Sequence, residues 1–64
     1  MSQFIVEFPG EWFLRVGRNP AMPVATGDRE RATRFDTALE ATHAVNVAKT
    51  LKRDAKRNAK IVAA

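Results

Sequence analysis

Sixty-four residues, a net charge of +4 and no cysteine bound the chain to one small domain with no disulfide framework and no thiolate metal site. Hydrophobic residues make up 45% and charged residues 28%, the balance of a folded globule and not of a disordered tail. Apolar runs reach three residues at 4–6 and 12–14 and four at 61–64. They are far too short to span a bilayer, and the N-terminus lacks the basic start and long apolar core of a signal peptide, so a cytoplasmic location with no membrane contact is expected.

Residues 3–8 (Gln-Phe-Ile-Val-Glu-Phe) and 11–17 (Glu-Trp-Phe-Leu-Arg-Val-Gly) are rich in β-branched and aromatic types and flank Pro9-Gly10. That arrangement reads as a β-hairpin. Alternation puts Phe4, Val6 and Phe8 on one face, with Trp12, Leu14 and Val16 across the pair. Gln3, Ile5, Glu7, Phe13 and Arg15 fall on the other. The six large apolar groups mark the first face as the core side, Trp12 included. Residues 18–31 hold Asn19-Pro20, Pro23 and Gly27-Asp28, which is loop punctuation. A short extended piece over 22–25 is weakened by its proline, and 32–36 (Ala-Thr-Arg-Phe-Asp) reads as a third, edge strand that buries Phe35.

Thr37-Ala38-Leu39-Glu40 matches the capping box, in which the hydroxyl accepts from an amide three residues on and the glutamate reaches back. Ala41, Ala44, Val45, Ala48, Leu51 and Ala55 follow at helical spacing and form one apolar stripe. Asn58 is the expected stop, and 59–63 (Ala-Lys-Ile-Val-Ala) reads as a closing strand. The resulting expectation is an α+β domain over 1–64. A small antiparallel sheet of two to four strands packs on one long C-terminal helix, the strand count depending on whether 32–36 and 59–63 join.

The inventory for catalysis is nearly empty, and the expectation is a protein that is not an enzyme and needs no cofactor. Cysteine and tyrosine are absent, and His43 is the only histidine, on the polar side of the expected helix. One histidine without a carboxylate cluster does not build a metal site. Ser2, the only serine, sits at the terminus, where a nucleophile is poorly held. The three glycines are scattered singly, so neither a phosphate-cradling loop nor a dinucleotide fingerprint is present.

Features for binding are richer. Up to residue 40 the chain carries five arginines against six acids, and all the surplus positive charge follows. Lys49, Lys52, Arg53, Lys56, Arg57 and Lys60 there face Asp54 alone. Such a run suits phosphate contacts with counterion release, and it equally suits a solvated helix end that complements the helix dipole. Arg15, Arg18, Arg31 and Arg34 are intermixed with acids, so ion pairing competes with a binding role. Ile5, Phe13 and Arg15 share the sheet face away from the helix. An aromatic beside an arginine is the composition of an interaction hot spot or a base-stacking surface, although Ile5 and Phe13 can also cover each other as a cross-strand pair.

Phe35-Asp36-Thr37-Ala38-Leu39-Glu40-Ala41, a phenylalanine ending a strand before a capped helix, resembles the plant ethylene-response DNA-binding domains and the arm-binding N-terminal domains of phage integrases. That resemblance implies a three-stranded sheet backed by one helix, with the sheet in the major groove. Over most of its length the chain also resembles small phage and prophage accessory proteins with a Trp- or Phe-bearing hairpin, the stretch Ala32 to Thr37, an alanine-rich helix and a final Ala-Lys-Ile-Val (59–62). This second resemblance implies a bacterial cytoplasm and an accessory role. Against the DNA-binding pattern, the hairpin carries Glu7 and Glu11 beside Arg15.

The reading is a non-catalytic accessory protein that binds nucleic acid or host nucleic-acid-handling machinery. The alternatives are a phage-encoded inhibitor docked on a host complex, such as CRISPR machinery or a polymerase, and a homodimer formed through the free sheet face or a sheet edge.

Overall fold

The computed structural model describes residues 2–19 and 22–64, so Pro20 of the expected loop lies outside the described residues. Four strands, β1 (Phe4–Phe8), β2 (Trp12–Arg15), β3 (Val24–Thr26) and β4 (Lys60–Ala63), form one antiparallel sheet in the order β3-β2-β1-β4. Two helices, α1 (Ala38–Val47) and α2 (Arg53–Asn58), connect the two edges of the sheet. The α+β class and the small antiparallel sheet are as expected.

Pro9-Gly10 forms the hairpin turn. Gly10 has φ +89°, the left-handed value that the third residue of a type II turn requires after proline. Glu11 follows at φ +63°, an uncommon conformation for a residue with a Cβ. The register Phe8↔Trp12 and Glu7↔Phe13 puts even residues of both strands on one face. Continuing through Phe13↔Thr26 and Val6↔Ile61, that face gathers Val6, Phe8, Leu14 and Ile61. Ala41 and Val45 of α1 pack on them, joined by the half-buried Leu51, Ala55 and Ala59. Val6 and Leu14 are completely buried, each contributing about 1.5–3 kcal/mol of hydrophobic stabilisation.

The helix starts at the expected cap, where the Thr37 hydroxyl accepts from the Glu40 N–H at 3.1 Å, but among the described residues the Glu40 carboxylate makes no return bond to Thr37. The helix itself is different. In place of one long helix there are two short ones, broken at Ala48, whose N–H turns back to the Val45 carbonyl. No glycine or proline lies between 38 and 58, so the break is imposed by tertiary structure. A straight helix over those residues would run about 31 Å, longer than the 30 Å greatest dimension of the molecule, over strands spanning about 15 Å. Turning at 48–52 keeps Leu51 and Ala55 on the core, and the Thr50 hydroxyl fixes the turn by donating to the Pro23 carbonyl at 2.8 Å.

The edge strand expected over 32–36 is also corrected. The third strand is Val24–Thr26, directly after Pro23, and residues 33–35 instead fill the gap where β1 and β2 diverge. Phe4 and Phe35 exchange both backbone bonds at 2.8 Å, and Thr33 donates to the Leu14 carbonyl at 3.0 Å. The Thr33 hydroxyl accepts from Val16 N–H at 2.7 Å. Phe35 ends half-buried.

Candidate nucleic-acid interface

The opposite face of the sheet is not open. After β3 the chain crosses it as a strap built on a 3-10 turn (Arg29–Arg31). Asp28 organises that turn, its carboxylate accepting from Glu30 N–H at 2.9 Å and pairing with Arg31 at 3.6 Å. The Arg29 guanidinium donates to the Ala63 carbonyl at 2.7 Å, anchoring the strap to β4. Ala32 is thereby pressed onto Ile5 and Phe13, with Val62 alongside. Ile5 is 1% and Phe13 6% exposed, so neither is part of a surface patch, and the sheet-face argument for a homodimer goes with them. Arg15 stays exposed without the aromatic neighbour expected to accompany it.

Trp12 is corrected in the other direction. It lies on the helix face, as alternation requires, but it is 50% exposed and not in the core.

The remaining basic residues divide into two groups. Arg18 and Arg34 are exposed at separate places, and Arg31 is engaged with Asp28. The segment 49–60 is the concentrated group. Lys49 and Lys52 are exposed in the turn between the helices, Arg53 and Arg57 are exposed on α2, and Lys60 is exposed at the start of β4. Ala55 packs on the core, and at about 100° per residue Arg53 and Arg57 project from the opposite side of the helix. Lys56 has a structural duty, its ammonium donating to the Asn46 carbonyl at 3.3 Å in the last turn of α1. Among the described residues the ion pair formed is Asp28–Arg31; the other five cations of 49–60 form none, although Lys60 stands directly opposite Glu7 in the register of β4 on β1. Unpaired exposed cations at this density attract a polyanion.

A feature missed in the sequence is an open apolar groove of about 680 Å³ beside α1, lined by Val16, Phe35, Leu39, His43 and Val47. Leu39 is 79% exposed. Leu39, His43 and Val47 recur every fourth residue, a second helical stripe legible beside the alanine-rich one. Among the described residues no helix is long and apolar enough to cross a membrane, and no cluster of side chains is suited to hold a metal ion. No protein-family model, no curated protein and no solved structure matches the chain.

Proposed function

We propose that this protein binds nucleic acid by contact alone, without catalysis, through the basic segment 49–60. The observation that carries the reading is the set of five exposed cations, Lys49, Lys52, Arg53, Arg57 and Lys60, none of which forms an ion pair among the described residues. Phosphates supply the missing counter-charge, and each contact releases a condensed counterion. Five contacts give a slope of log affinity on log salt of about −3.5 for a single strand and about −4.5 for a duplex. Titration of labelled single-stranded and duplex oligonucleotides at about 50 and about 200 mM salt tests this, with an affinity loss of about 100-fold or more expected. Absence of binding at the lower salt refutes it.

The groove beside α1 favours a second reading, a protein partner that lays the apolar face of an amphipathic helix along Leu39 and Val47. Loss of partner binding on Leu39→Ser, with oligonucleotide binding absent in the unaltered chain, is the pattern that reading requires.

A further inference from the structure

We propose that Trp12 is a stacking platform for an unpaired base of single-stranded nucleic acid, an inference that rests on the nucleic-acid reading above. Trp12 is half exposed, with buried Phe8 opposite it across the hairpin and buried Phe13 next to it in the chain. Its indole is bedded on backbone. A Cβ at Gly10 would stand 3.3 Å from the five-membered ring carbon Cδ1 and 3.5 Å from Nε1, and a Cβ at Gly27 would stand 3.9 Å from Cζ3 of the six-membered ring. Gly27 lies directly across from Trp12, one step beyond the pair Phe13↔Thr26.

Both flanking positions therefore lack side chains where the ring lies, and the ring is positioned by strand register and a tight turn instead of by a mobile loop. A large aromatic surface held this way is available to a base at little conformational cost. The indole N–H adds a donor suited to a phosphate or base oxygen.

The basic segment runs toward this end from the far end of the sheet. α2 begins just after Thr50, which is bonded to Pro23 ahead of β3. It ends at Asn58, which with Lys60 borders a cleft shared with Phe8, Gly10 and Glu11. Its packing side, through Ala55, meets the face that Trp12 occupies. A strand whose phosphates follow the basic segment thus brings its bases to the indole. Bases in a duplex are already stacked on both sides, so the platform selects a single strand. Glu7 and Glu11 border the same cleft and oppose a phosphate on the turn side, which leaves the α2 side for the backbone.

The chain has one tryptophan and no tyrosine, so its intrinsic emission reports on this site alone. The experiment titrates the whole protein with oligothymidine, oligouridine and a DNA duplex, following Trp12 emission and, in parallel, anisotropy of the labelled oligonucleotide. Expected are saturating quenching by the single strands with the midpoint seen by anisotropy, an affinity drop of about 5- to 150-fold for Trp12→Leu at unchanged salt slope, and near-normal affinity for Trp12→Phe. Comparison of the two homopolymers distinguishes DNA from RNA as the source of the strand. Binding by anisotropy with unchanged emission overturns the stacking role and leaves the nucleic-acid reading intact. No binding by any oligonucleotide overturns both. Quenching by duplex alone overturns the single-strand assignment. The emission of the unaltered chain decides these outcomes even if Trp12→Leu fails to fold.

Discussion

The two faces of the sheet are covered in different ways, and Trp12 and Phe13, adjacent in the chain, show the consequence. On the helix face, α1 and α2 bury Val6 and Leu14 but stop short of the hairpin turn, and Trp12 at the rim is 50% exposed. On the opposite face a strap with one small apolar contact, Ala32, is enough to seal Ile5 and Phe13. Alternation along a strand assigns a side chain to a face. Whether that face is dry is decided by chain far away in sequence, and a strap fastened by Asp28, Arg29 and Thr33 does it as well as a helix.

The largest effect that separates the two faces is Phe13→Ala. With the strap in place it should cost about 3–5 kcal/mol in urea unfolding, as for a core phenylalanine, and Trp12→Ala should cost clearly less. A Phe13→Ala cost within about 0.5 kcal/mol, typical of a surface site, would mean that the strap does not seal its face. Next in size is Gly10→Ala. At φ +89° with the indole 3.3 Å from the new Cβ, it should cost about 1–2 kcal/mol and alter Trp12 emission, whereas Gly17→Ala, with open space around it, should leave emission unchanged. The smallest is a gain. Glu11→Gly removes a side chain held at φ +63° and should stabilise by up to about 1 kcal/mol, seen as a rise in Tm of about 4–8 °C per kcal/mol for a domain of this size.

Much of the fold was legible because its signals are local. Pro9-Gly10 between two β-rich runs, Thr37 three residues before Glu40, and the β-branched pair Ile61-Val62 each specify structure within a few residues. What was not legible is tertiary in origin. The helix breaks at Ala48 because the sheet is short and Thr50 binds Pro23, and an alanine-rich sequence carries no mark of either. The strand Val24–Thr26 was legible only as a short extended piece over 22–25, since three residues behind a proline are too brief for a period to show. The strap holds its place by hydrogen bonds more than by an apolar pattern. At the candidate site, the basic segment stood out as a charge imbalance. The exposure of Trp12 did not, since it follows from where two helices happen to end and from glycines at 10 and 27 that read as ordinary turn residues.

The most direct measurement is the salt slope of single-strand binding for two double variants, Arg53→Gln/Arg57→Gln on α2 and Arg31→Gln/Arg34→Gln at the strap. Recognition centred on the unpaired cations of 49–60 predicts that the first pair flattens the slope by about 1.4 and the second leaves it unchanged. Equal flattening by both pairs, or by neither, would contradict it.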